Sequence, residues 1–172
     1  FLLFFYKNQR SSLVYPSEEV QKDKVPLKPA LGLKSFVTYV KELGPGEEIS
    51  YGGTYVTERT MRIATVAVGY GDGYPRSLSN CGYVLICGKR ARILGRVCMD
   101  QLMVDVTDIM EADVDTPVTL IGKDGDEEIT MEHLAELCGG FHYEMVCDIG
   151  KRVPRVYYRG GKVVGTMDCF AE

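Results

Sequence analysis

The chain has 172 residues, 45% of them hydrophobic, with a formal net charge of −4. That length and composition suit one domain with a real core. Interspersed, mildly acidic charge argues against a surface built to grip a nucleic-acid backbone, and no apolar run approaches the roughly 18 residues a membrane span needs.

Residues 1–26 mix apolar and charged side chains without a period, around Pro16 and Pro26, and read as a tail or linker. The opening FLLFFYK has no basic leader and no cleavage pattern, so it is not a signal peptide. Without an initiator Met, the expectation is a fragment whose true neighbour lies upstream. From Leu27 the pattern changes. ALGLKSFVTYVKEL mixes small, β-branched and aromatic residues until GPGEE breaks it. Two short runs that read as strands then flank Tyr51, Gly52 and Gly53. MRIATVAV is a strand of β-branched residues ended by GYGDGYP. GYVLICGKRARILGRV reads as a hairpin turning near Gly88. LMVDVTD puts Leu102, Val104 and Val106 on one face, PVTLIG is a strand, and KDGDEE is a turn. RVPRVYYRGGKVVGT reads as a second hairpin, turning at Gly160 and Gly161.

Only TMEHLAELCGG reads as helix. Met131, Leu134, Ala135 and Cys138 fall at i, i+3, i+4 and i+7. Thr130 suits the N-cap, Glu132 the positive end of the dipole, and Gly139 with Gly140 the stop. Six or more strands against one short helix predict a mainly β domain, barrel-like or a closed sandwich. The six cysteines make no C-x-x-C pair, and His133 and His142 are not spaced with them as ligands, so no metal site is expected. With no secretory signal, they read as reduced thiols of a cytoplasmic protein.

Three Gly-rich loops carry polar groups that a plain barrel does not need: SYGGTY, VGYGDGYPR and GRVCMDQLMVDV. Taken singly, each has a structural reading. Gly-Tyr-Gly is a common turn, and Arg96 and Asp100 can pair on the surface. No dinucleotide fingerprint, P-loop or nucleophile elbow is present. His133 lies in the helix without a nucleophile beside it, and His142 reads as a surface or capping residue. Tyr51 is the open question, because a turn needs Gly but does not need a phenol.

Taken together and in order, these loops, with LKPALGLKSFVTYVKELGPGEEISYGGTY, TLIGKDGDEEIT and KRVPRVY, resemble the C-terminal β domain of the bacterial alanine racemase family. The resemblance covers about residues 27–158 of a domain drawn as 27–166. It implies a two-domain enzyme that interconverts L- and D-alanine for peptidoglycan. The family's N-terminal (β/α)₈ barrel holds pyridoxal 5'-phosphate through a lysine, and head-to-tail homodimers complete each site from the partner subunit. By the same resemblance, Tyr51 is the catalytic tyrosine and the main-chain N–H of Met99 contacts the substrate carboxylate. Tyr70 and Asp100 line the access corridor, and Tyr143 reaches the cofactor phosphate. Racemisation needs groups on both faces of Cα. A free phenol loses its proton near pH 10, so a tyrosine acting as base near neutrality needs a neighbour that favours its charged form.

The chain departs from the family at Ala91-Arg92, expected to alter strand shape only, at Phe141-His142 before Tyr143, and over residues 1–14. The family's lysine and most phosphate donors are absent, so the chain alone is expected to be inactive. Competing readings are a non-catalytic dimerisation or binding module, a racemase for another small amino acid such as serine, and a related pyridoxal-phosphate decarboxylase.

Overall fold

A computed structural model describes residues 2–6 and 29–170 of the chain. Its core is a ring of six antiparallel strands. The long strand β2 (Leu31–Leu43) pairs with β5 (Met61–Val66), β5 with β8 (Leu102–Asp105), and β8 with β7 (Lys89–Leu94). β7 turns back on β6 (Tyr83–Ile86), which pairs with β9 (Pro117–Asp124). β9 then returns to β2, matching Leu33 with Ile121 and Phe36 with Pro117. The expected barrel-like β architecture is therefore present, and the turn at Cys87 and Gly88 joins β6 to β7 as read from the sequence.

β2 closes the ring because it is long and irregular. Its register slips between Leu33 and Lys34 against β9, and between Val37 and Tyr39 against β5. Bulges of this kind bend a strand and raise its twist, so one strand can serve both sides of the closing seam. Successive strand residues point to opposite faces. Val37, Ala64, Val66, Ile93, Leu102 and Val104 accordingly fill the interior. Their neighbours Ile63 and Leu94 face outward, and form a second, smaller cluster with Ile49 and Met61.

That outer cluster seats the hairpin β3 (Glu48–Ile49) and β4 (Tyr55–Val56). Thr57 secures its base, accepting from the Glu47 N–H at 2.9 Å and donating to the Gly44 carbonyl at 2.6 Å. The hairpin thus lies across the outside of the ring with Tyr51 at its tip.

Helix α1 (Met131–Cys138) follows β10 (Glu127–Ile129) and covers the core with Met131, Leu134 and Ala135. Thr130 caps it by accepting from the His133 N–H at 3.1 Å, and Gly139, at φ 64°, ends it. Two elements differ from the sequence reading. A second helix, α2 (His142–Asp148), buries Met145 and His142, so His142 is an interior residue rather than a surface one. Leu2–Tyr6 form strand β1, inserted between β2 and β11 (Arg155–Arg159), where the sequence reads as a tail. The linker expected over the rest of residues 1–26 lies outside the described residues. β12 (Lys162–Met167) completes the expected hairpin about Gly160 and Gly161. No helix among the described residues is long and apolar enough to cross a membrane.

Candidate functional site

Three connections meet at one rim of the ring: the hairpin tip at Tyr51, the turn after β5 at Tyr70, and the β7–β8 link through Met99 and Asp100. The last two are stitched by main chain. The Tyr70 N–H donates to the Cys98 carbonyl at 3.0 Å, and the Gly71 N–H to the Met99 carbonyl at 2.9 Å. Gly69 is required there, since a Cβ would collide with the Cys98 and Met99 main chain.

The hairpin tip joins the same link through Ser50, whose hydroxyl donates to the Arg96 carbonyl at 2.6 Å and lies 3.4 Å from Cys98 Sγ. On its other flank, Asn80 ties Thr54 to Gly95. Its Nδ2 donates to Thr54 Oγ1 at 3.1 Å, and its Oδ1 accepts the Gly95 N–H at 2.6 Å. Arg92 supports this staple by donating to the Asn80 carbonyl at 3.1 Å, so the substitution at Ala91-Arg92 reaches beyond strand shape. Between these anchors Tyr51 projects into solvent, 73% exposed, and its hydroxyl makes no hydrogen bond among the described residues. Tyr70 and Met99 are also exposed.

Charge is arranged around Arg152 rather than Arg96. Arg152 Nη2 donates to Asp100 Oδ1 at 2.6 Å, and Arg152 Nε lies 3.3 Å from Oδ1 of the buried Asp72. The surface pair expected between Arg96 and Asp100 is replaced by this bridge. The hydrogen bond to Asp100 and the charge of Asp72 hold the Arg152 guanidinium above its ordinary pKa. Asp72 also accepts the Gly69 N–H at 2.9 Å. One guanidinium therefore locks the Tyr70 turn to the Met99–Asp100 link. Arg96 instead lays its guanidinium along Gly52, beside Tyr51.

Tyr143 sits apart, in the first turn of α2, with its ring 5.1 Å from Phe141 and 4.5 Å from His142. Just past the far end of that helix, the Gly150 N–H donates to the Asp72 carbonyl at 3.0 Å, which ties the end of α2 to the Tyr70 turn. The rim residues that sequence reasoning missed are Ser50, Asn80 and Arg152. Ser50 and Arg152 lie inside quoted motifs, but their partners are 46 and 52 residues away and leave no local signal.

The profile of the "Alanine racemase, C-terminal domain" family matches residues 30–157. The chain belongs to the alanine racemase family. Alanine racemase 1 of Clostridium acetobutylicum is 47% identical over 150 residues, which are 87% of this chain and 39% of that protein. Alanine racemase of Halothermothrix orenii is 52% identical over 135 residues, 78% of this chain and 36% of its own length. The crystal structure of alanine racemase from Bacillus anthracis with bound L-Ala-P has a TM-score of 0.83 at 40% identity, covering 91% of this chain and 40% of that one. The chain spans about two fifths of the length of these alanine racemases.

Pyridoxal phosphate needs an amine for its aldehyde and donors for its phosphate. The described lysines all reach solvent, and none stands in a buried donor-lined cavity. These residues do not by themselves make the cofactor's cradle. What they fit is a supporting part: the exposed phenols of Tyr51 and Tyr143 can meet a cofactor held elsewhere.

Proposed function

We propose that this chain is the C-terminal part of a cytoplasmic alanine racemase and supplies Tyr51 as one of its two proton-transfer groups. The observation that carries the reading is the pairing of that family with the projection of Tyr51. Its phenol is held out at a rim by anchors on both flanks, with no partner among the described residues to occupy it. A residue kept only for packing would turn its side chain into the neighbouring cluster, as Ile49 does.

In the complete enzyme, bound pyridoxal phosphate supplies an electron sink that acidifies the substrate Cα–H. Tyr51 stands on one face of Cα. It accepts the proton there in one direction of the reaction and returns it in the other, with a lysine outside this chain serving the opposite face. The Met99 main-chain N–H donates to the substrate carboxylate, a charge that loses its water on binding and needs such a donor. Asp100 and Tyr70 border the path by which the small amino acid arrives, and Tyr143 donates to the cofactor phosphate. The exposure of Tyr51 leaves it open to a site built outside this chain; on the plan the family resemblance implies, that site is the partner subunit's, in a homodimer whose β domain faces the other subunit's barrel. The product D-alanine serves peptidoglycan.

Replacing Tyr51 by Phe in the complete enzyme tests this directly. The ring stays and only the hydroxyl goes, so the expected loss is about 10²–10⁴-fold in racemisation with an unchanged fold. Solvent deuterium should enter Cα poorly from one face only. Equal and small changes on both faces return Tyr51 to a structural role.

A further inference from the structure

We infer that Ser50 is a positioning residue for the proton-transfer tyrosine: its hydroxyl, bonded across to the Arg96 carbonyl, holds a backbone conformation that aims Tyr51. The inference rests on the proposed role of Tyr51. Its own evidence is conformational. Ser50 has φ 67° and ψ −179°. That region is almost confined to glycine, because an L residue there brings its Cβ against its own main chain. Glycine follows two positions later and again at the next, yet Ser occupies the strained place. A side chain kept at such a position needs a use that glycine cannot supply.

The usual use is absent. A Ser before a helical turn ordinarily accepts an N–H from that turn. Ser50 precedes the short 3₁₀ turn Tyr51–Gly53 but makes no side-chain cap to it. Its hydroxyl points the other way, donating to the Arg96 carbonyl at 2.6 Å with Cys98 Sγ 3.4 Å off. The opposing strand end is shaped to receive it. Gly95 has φ 74°, and a Cβ on it would lie 2.5 Å from the Ile49 carbonyl oxygen and 2.7 Å from Ser50 Cβ. The two backbones therefore approach more closely than side chains allow, and the hydroxyl bond spans the gap. Tyr51 is the next residue, so its Cα–Cβ direction is fixed by the Ser50 torsions. Release of φ at position 50 swings the phenol away from whatever it faces.

The experiment uses the complete enzyme and three variants. Ser50→Ala removes the bond and leaves the strained torsions without support. Ser50→Gly removes the bond at a residue type that accepts those torsions, so folding is preserved. Tyr51→Phe reports whether the phenol matters at all. Misplacing a reacting group by about 1 Å lowers rate roughly 10²-fold. Both Ser50 variants are expected to lower kcat by about that factor with KM within twofold. Solvent deuterium entry should fall on the Tyr51 face of Cα only. Amide hydrogen exchange at Tyr51–Gly53 should rise while the six-stranded ring stays protected, a readout independent of turnover. If Tyr51→Phe leaves racemisation intact, the functional reading itself fails. If Tyr51→Phe removes activity while both Ser50 variants stay within twofold of the parent, the positioning role is overturned. Loss on both faces that merely tracks a lowered melting temperature also overturns it.

Discussion

Single residues at the rim divide into those whose role is local and those whose partner is far away. Tyr74 belongs to neither group. It is buried, and its hydroxyl has no hydrogen-bond partner among the described residues. Burial pushes its phenol far above the ordinary range, with Cys138, Cys81 and Tyr83 adding to the effect. A buried hydroxyl without a partner keeps its desolvation penalty uncompensated. Tyr74→Phe is therefore expected to stabilise the fold by about 1 kcal/mol, seen as a higher denaturation midpoint at unchanged slope. A fall in the midpoint would mean that the hydroxyl is satisfied. The sequence does not announce Tyr74, since the Gly-rich GYGDGYP reads only as the end of a strand. Arg152 is illegible for a different reason. An ion pair is a matter of where chains cross, and Arg96 looks the better partner for Asp100 only because it is four residues away.

Elements were legible where local chemistry alone decides them. Thr130 and Gly139 bracket α1 by side-chain capping and positive φ, so its limits can be read off. α2 has seven residues and begins after Phe141, which offers no side-chain acceptor. Without a cap and with only about two turns of period, its helicity comes from packing Met145 and His142 rather than from local signals. The β3–β4 hairpin shows the same dependence on packing. Two residues per strand cannot stand alone, and Ile49 is its plug into the outer cluster with Met61, Ile63 and Leu94. Ile49→Ala is expected to destabilise by roughly 2–5 kcal/mol. In the complete enzyme it should also lower kcat, because the hairpin that carries Tyr51 loses its seat. Denaturant unfolding beside steady-state kinetics checks both. A full loss of stability with untouched kcat would detach the outer cluster from the site.

At the scale of the whole molecule, the chain carries the rim but not the cradle. Mixed alone with pyridoxal phosphate and L-alanine, the 172-residue chain is expected to racemise nothing and to release the cofactor on dialysis. Cofactor absorbance retained at one equivalent per chain would overturn this. The β class was readable from strand count, whereas closure of the ring was not, because no periodicity reveals which strand returns to which. That closure governs how the fold is reached. β2 is made early, yet its seam partner is β9, so residues 33–36 wait for residues 117–121. Loop-closure entropy over such a distance slows folding relative to local hairpins. A growing chain that has not yet reached Pro117 holds β2 and β6 with unpaired edges, which invite pairing with other chains. The rim contacts of Ser50, Tyr70, Gly71 and Asn80 all reach partners between residues 54 and 99, so a chain halted before Pro117 already holds every group that frames Tyr51 on a ring still open at its seam, and only the Arg152 clasp must arrive after closure.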